Sequence, residues 1–437
     1  MAVTLEQRES VGRALQQGDF SSRAAAEAYV GGVCFKLGPP ALIGAELEWL
    51  TVSGECPPSG RTAAPRPRLT DFADALGVHT PRSLVPDSPQ QPLPGGSTVT
   101  LEPGGQIELS SAPFADATQL TTSLRDDTLR LRDLLATHAI HIVPAAADTD
   151  REPERLLQLP RYRAMEQCFG GIGPFGKLMM CNTAAAQVSI DAGADKAQVV
   201  ARWTALYAVG PALTAAFACS PTLRGAPEGA WASQRMRTWL RLDHARTRPP
   251  VMDWADPIAA YSRWALDVPM LCLRNGRGET DWAAPPGASF ADWLSGALDD
   301  EVGRRPDLVD LDYHLTTLFP PVRASGHLEV RYLDAQPGDG WTVPIHVFDA
   351  LMSSEAVVAE ATALAASTAG HWLVAARCGL ADPQVRGAAV ALLELAGAHA
   401  ASQEAAAQIA AAVRRCRDGR TPTEERDDGR SAHGAVA

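Results

Sequence analysis

Two glutamates, Glu46 and Glu48, stand two residues apart in Leu42-Ile-Gly-Ala-Glu-Leu-Glu-Trp-Leu50. Polar and apolar residues alternate there at period two, the mark of a β-strand, so Gly44, Glu46 and Glu48 share one face. Two carboxylates on one strand face repel each other. Water relieves that at an exposed edge, whereas a covered strand needs a proton or a cation between them. Three further segments repeat the pattern. Gln106, Glu108 and Ser110 lie opposite Ile107 and Leu109. Gln187, Ser189 and Asp191 lie opposite Val188 and Ile190. His327, Glu329 and Arg331 lie opposite Leu328, Val330 and Tyr332. The set Glu46, Glu48, Glu102, Glu108 and Glu329, with Gln187, is all oxygen, without imidazole or thiolate. Such donors suit a hard ion such as Mg²⁺ and disfavour zinc. Ions of this kind most often serve phosphoryl transfer, bridging phosphate oxygens and offsetting charge. The competing reading is a half-solvated antiparallel sheet with an acidic outer face. Arg235 and Arg237, in Ser233-Gln-Arg-Met-Arg-Thr-Trp239, and Arg331 beside Glu329 could pin carboxylate or phosphate oxygens. For the first pair the alternative is a surface cluster with arginine stems laid over tryptophan.

The elements that must carry these residues are spread from residue 42 to 333 with no linker between them, which favours one α+β domain over separate modules. That domain is expected to cover residues 1–416, with a charged, disordered tail over 417–437. Helices are expected over 5–37 with Ser21-Ser22 as a cap, over Thr70–Leu76 capped by Thr70, and over 114–138. Further helices are expected over 195–219, Asp256–Ala265, Phe290–Gly296, Leu308–Leu318, 346–369 and 385–416. Gly210-Pro211 should kink or split the 195–219 helix. Short strands are expected at His141–Pro144 and near Met270–Cys272, loops at 53–68 and 81–96, and irregular chain over 145–181, with Arg161 to Met165 opening a helix. Pro103-Gly104-Gly105 must bend the chain before Glu108. Gly171-Ile-Gly-Pro-Phe-Gly176 fits GxGxxG literally, but it follows no strand and is read as a loop. A P-loop, GxSxG and HExxH are all absent.

The chain has 437 residues and a formal net charge of −12. That balance argues against general nucleic-acid binding. Only three of the 39 cationic residues are lysine, so 36 are arginine, and each arginine is weaker testimony to anion recognition than it would be elsewhere. None of the eight cysteines forms CxxC or sits at zinc spacing from a histidine, which suits buried thiols in a reducing cytoplasm. No signal peptide is visible and no run of about 18 apolar residues offers a membrane span.

Several blocks resemble the plant-type glutamate–cysteine ligase family. They are Gly44-Ala-Glu-Leu-Glu48, Leu101-Glu-Pro-Gly-Gly-Gln-Ile-Glu-Leu-Ser110, Ala186-Gln-Val-Ser-Ile190, Leu266-Asp-Val-Pro-Met270, Leu315-Thr-Thr-Leu-Phe-Pro-Pro-Val-Arg323 and Leu328-Glu-Val-Arg-Tyr332. They run in the family's order over about three quarters of the chain, and the compact, lysine-poor form is similar to the bacterial branch that feeds ergothioneine synthesis. The resemblance implies an open antiparallel sheet, funnel-shaped and backed by helices, akin to glutamine synthetase. It implies ATP-dependent joining of the L-glutamate γ-carboxylate to the amine of L-cysteine through a γ-glutamyl phosphate, with two or three Mg²⁺ ions. It places Glu46, Glu48, Glu102, Glu108 and Glu329 at metal-binding positions and Gln187 at a further metal or phosphate position. Arg235 falls on the substrate-carboxylate arginine, and Arg331 on the arginine that stabilises the transferring phosphoryl group. The thiol regulation of plant members is not carried over, because the cysteine positions do not match. A ligase using another amine, and a silent glutamate or nucleotide binder, are the competing functions.

Overall fold

A computed structural model describes residues 22–55, 61–250, 253–274 and 281–424. Its centre is an antiparallel sheet of seven strands: β1 (Ile43–Ser53), β2 (Thr98–Leu101), β3 (Ile107–Ser110), β4 (Ile140–Val143), β5 (Ala185–Ile190), β6 (Val322–Ala324) and β7 (Leu328–Asp334). The order is β2-β3-β1-β5-β7-β6, with β4 paired to the far end of β1. Every neighbouring pair is antiparallel.

Alternation assigns the two faces. Ile43, Ala45, Leu47, Trp49, Val188, Ile190, Leu328, Val330 and Tyr332 all enter the main hydrophobic core, shared with the helices behind the sheet. The helix Lys196–Phe217 lies deepest. It is buried on nearly every side and carries no amphipathic stripe, as a helix enclosed by others should. It runs unbroken through Gly210-Pro211, against expectation. Enclosure overrides propensity there, and Gly210 is required because the Trp372 ring lies 2.1 Å from where a Cβ would stand. The helices Thr342–Leu351, Glu355–Ala365, Trp372–Cys378, Pro383–Ala398 and Gln403–Arg417 complete this layer. Cys34, Cys181, Cys219, Cys272 and Cys416 are buried. No helix among the described residues is long and apolar enough to cross a membrane.

Some local expectations fail. Within the stretch expected to be irregular, a helix does open at Arg161, as Pro160–Ile172, but a second, Phe175–Asn182, follows it, and the GxGxxG match spans their junction. Gly173 ends the first helix with its N–H on Phe169 O, and Gly176 rests against Phe169, where a Cβ would come within 2.3 Å of the ring's own Cβ. Thr70 is not a cap: the helix Leu69–Leu76 begins after Arg68, which makes no side-chain cap bond. Met270–Cys272 forms no strand, only isolated bridges at Pro269–Ser289 and Cys272–Ala283. Ser22 does cap the helix Arg23–Cys34. The first part of the helical stretch expected over 5–37, residues 5–21, lies outside the described residues, as does 425–437 of the expected tail.

Candidate active site

The opposite face of the sheet is polar from edge to edge. Register places Glu48 across from Glu108, Glu46 across from both Ser110 and Gln187, and Thr100 across from Glu108. On the other side Glu329 lies between Ser189 and Arg323. Two devices aim this face. The first is the turn Glu102–Gln106 between β2 and β3, closed by Glu102 N to Gln106 O at 2.8 Å and by Gly105 N to Glu102 O at 2.9 Å. Gly105 takes φ +87°, which an L side chain resists. Gly104 lets the Cys181 backbone approach, since a Cβ would stand 2.3 Å from its carbonyl oxygen. The second device is a bulge. Between the Ala186–Leu333 and Val188–Val330 pairs, Arg331 and Tyr332 of β7 face the single residue Gln187 of β5. Bulges re-aim side chains, and here Arg331 Nη1 donates to Gln187 Oε1 at 2.7 Å.

These residues line a cavity of about 620 Å³. One side is acidic: Glu46, Glu48, Glu102 and Glu108. Gln187 Nε2 donates to Glu46 at 3.2 Å and to Glu48 at 3.1 Å, and Ala185 N donates to Glu48 at 2.8 Å. Burial, then the neighbouring Glu46, Glu102 and Glu48, push the Glu108 carboxyl well above its ordinary range. Burial and Glu48 push Glu102 up to about 7, against the pull of Arg331 and Arg161. Burial raises Glu48 too, opposed by Arg235 and the Ala185 N–H. These are carboxylates short of positive charge.

The other side is cationic. Burial works against the charge of Glu329, which is 1% exposed, yet Arg323 and Arg331 hold its carboxyl well below the usual range. Arg323 donates from Nε and Nη2 to both oxygens, the closest contact being 2.7 Å to Oε2, and Arg331 Nη1 also donates to Oε1. Both Glu329 oxygens are thus engaged, and in this state it orders the arginines. Arg235, 2% exposed, donates from Nη2 to Arg331 O at 2.8 Å. The roof is apolar: Met165, Met179, Met180 and Phe319 belong to a second hydrophobic cluster separate from the main core, flanked by Tyr162 and Trp239.

The expected residues Glu46, Glu48, Glu102, Glu108, Gln187, Arg235 and Arg331 all line this cavity. Glu329 stands on the same face behind Arg323. Arg237 does not line it. Its guanidinium is spent on the carbonyls of Pro227 and Glu228 and lies over the Trp231 and Phe175 rings. Gln106 is tied to Met180 O, Thr183 O and Gly104 N, so it braces the turn. Residue patterning missed Arg323, Arg161 and Tyr162. Arg323 sits in a three-residue strand too short to show a period. Arg161, held by Thr316 at 2.7 and 2.8 Å, and Tyr162 open a helix read only as a helix.

The model of glutamate-cysteine ligase family 2 (GCS2) matches residues 42–436, from the residue before β1 to nearly the end of the chain. The chain belongs to that family. It is similar to glutamate–cysteine ligase EgtA of Mycolicibacterium smegmatis, 34% identical over 424 residues that span 96% of this chain and 94% of the relative. Against glutamate–cysteine ligase EgtA of Mycobacterium tuberculosis the identity is 38% over 315 residues, 70% of this chain and 71% of that one. The chloroplastic glutamate–cysteine ligase of Medicago truncatula is 32% identical over 56% of this chain and 48% of its own. Among solved structures, glutamate–cysteine ligase of Francisella tularensis in complex with AMP superimposes with a TM-score of 0.53 at 13% identity. That alignment covers 88% of this chain and 84% of that one, and it shows a shared fold. The GCS2 fold is therefore this open antiparallel sheet with helices behind it.

Proposed function

We propose that the chain is an ATP-dependent glutamate–cysteine ligase that works through a γ-glutamyl phosphate and supplies γ-glutamylcysteine for ergothioneine synthesis. One observation carries this reading: four carboxylates, Glu46, Glu48, Glu102 and Glu108, and three guanidiniums, Arg235, Arg323 and Arg331, line one cavity of about 620 Å³. A carboxylate is a poor acyl donor, so a ligase must first convert it to an acyl phosphate. The γ-carboxylate oxygen attacks the terminal phosphorus of ATP and ADP leaves. The cysteine amine then attacks the acyl carbon, phosphate departs and the amine sheds a proton.

The acidic end fits Mg²⁺ by donor chemistry, because Glu46, Glu48, Glu102 and Glu108 offer only oxygen, and burial holds the carboxyls of Glu48, Glu102 and Glu108 above their ordinary range despite the nearby arginines. No three His, Cys, Asp or Glu side chains among the described residues converge tightly enough to hold an ion by themselves. Ions held there would complete their shells with phosphate oxygens and water. Two or three such ions would neutralise phosphate charge and align the terminal phosphoryl group. Arg331, braced by Glu329 and Gln187, would offset charge on the transferring group. Arg235, which lines the cavity, would grip a substrate carboxylate. Gln187 joins the two ends, donating to Glu46 and Glu48 and accepting from Arg331.

The test is the mass of the product formed from glutamate, cysteine and ATP, with a panel of other amines in parallel. γ-Glutamylcysteine with one ADP per product is expected, only when Mg²⁺ is present. A preferred amine other than cysteine would displace the reading, as would the absence of ADP with all components supplied.

A further inference from the structure

The last residue of β7, Asp334, is an acid buried outside the cavity, 2% exposed, and the reaction sketched above makes no use of it. Its Oδ2 accepts from Cys219 N at 2.9 Å and from Ser220 Oγ at 2.7 Å, and its Oδ1 accepts from Ser233 Oγ at 2.8 Å. The two serines relay it into a helix start. Ser233 is the N-cap of Gln234–Arg241, and its oxygen takes the Met236 N–H at 2.9 Å. Ser220 Oγ takes the Arg235 N–H at 3.3 Å, while Ser220 O takes the Gln234 N–H at 2.7 Å. One carboxylate therefore terminates, through two hydroxyls, the donors of the turn that carries Arg235. An anion there also suits the positive end of the helix.

Arg235 needs such support. Burial acts to lower its basicity, and Asp334 and Glu48 are the charges that oppose this. Its Nη2 bonds the Arg331 carbonyl, while among the described residues Nη1 meets the weakly accepting sulfur of Met236 at 3.4 Å. Strong donor capacity is left for a ligand in the cavity. We infer that Asp334, working through Ser220 and Ser233, is the positioning residue that sets the Arg235 guanidinium for the glutamate carboxylate. The inference rests on the proposed role of Arg235 and extends it to a residue that never meets substrate.

Asp334→Asn keeps size but turns an acceptor into a donor facing hydroxyls. It should raise the glutamate KM about tenfold or more, with the ATP and cysteine KM values and kcat within about twofold, a split that general loosening would not give. Ser220→Ala, a milder change, should move the glutamate KM the same way and decides the matter if Asp334→Asn melts at assay temperature. Arg235→Ala is the reference. An unmoved glutamate KM in Arg235→Ala sinks the reading of Arg235 itself. A raised KM in Arg235→Ala, with unmoved values in the folded Asp334→Asn or in Ser220→Ala, sinks the positioning role alone. Equal rises in all three KM values would also overturn it.

Discussion

Glu108 is the residue on which charge and function pull hardest against each other. Burial and three neighbouring acids favour its protonated form, and Thr100 and Ser110 donate to one oxygen. An amide mimics a protonated carboxyl closely. Glu108→Gln should therefore melt no lower than wild type in metal-free buffer, while losing at least about 100-fold in turnover if the negative charge serves a cation. Calorimetry and an ADP-release assay check the two halves. Retained turnover would remove Glu108 from the metal-binding set. Glu46, Glu48 and Glu329 were legible in the sequence because each sits on a strand long enough for period two to show, whereas Glu102 lies in a turn and was marked by the block around Pro103-Gly104-Gly105. The arginines were less so. Arg323, which completes the grip on Glu329, lies in a three-residue strand, and Arg237, two positions from Arg235, points to loop carbonyls instead. Spacing along a helix does not say which of two neighbours faces the cavity when both are buried.

At the scale of elements, the turn between β2 and β3 holds Glu102 and Glu108 in place by a backbone-to-backbone approach. A Cβ on Gly104 would meet the Cys181 carbonyl oxygen at 2.3 Å and its Cα at 2.5 Å, and neither can rotate away. Gly104→Ala should destabilise the protein by about 2 kcal/mol or more and depress turnover even where the protein remains folded. Denaturant midpoints and a specific-activity assay report both effects; a wild-type midpoint would show that the turn yields freely. The bend at Pro103-Gly104-Gly105 was legible because those residues have few other uses. The opening of Pro160–Ile172 at Arg161 was legible too, but its extent past Met165 and the helix Phe175–Asn182 were not. Glycines at 170, 171, 173 and 176 and Pro174 read as breakers, but they mark a junction between helices and a close helix contact.

The whole molecule keeps several ionisable groups away from water, and this sets its response to acid. His314 is 3% exposed, lies against Phe290 and meets Ala265 O at 2.7 Å. A carbonyl only accepts, so Nε2 carries a proton in either charge state. Burial lowers its basicity to about 4. The unfolded chain, with an ordinary imidazole near 6.5, binds more protons between about 4 and 6.5. The stability held by neutral His314 is thus complete above about pH 6.5 and is lost as pH falls toward 4. The His314 ring resonance in NMR should keep its neutral position down to about pH 5, and a midpoint near 6.5 would show that water reaches it. The sheet and its helical backing were readable from alternation and composition. The long central helix defied a reading based on Pro211 alone, because its neighbours decide its shape.

The strand order has a consequence for how the protein is made. The acidic strands and β5 emerge early, whereas the chain that supplies Arg323 and Arg331 leaves the ribosome more than a hundred residues later, on the order of ten seconds at ordinary synthesis rates. Until β7 arrives, β5 presents an unpaired edge, and Glu46 and Glu48 stand without the cations that later face them. The nascent sheet is therefore both adhesive and self-repelling, and its last step of assembly brings in the positive charge that the earlier steps lack.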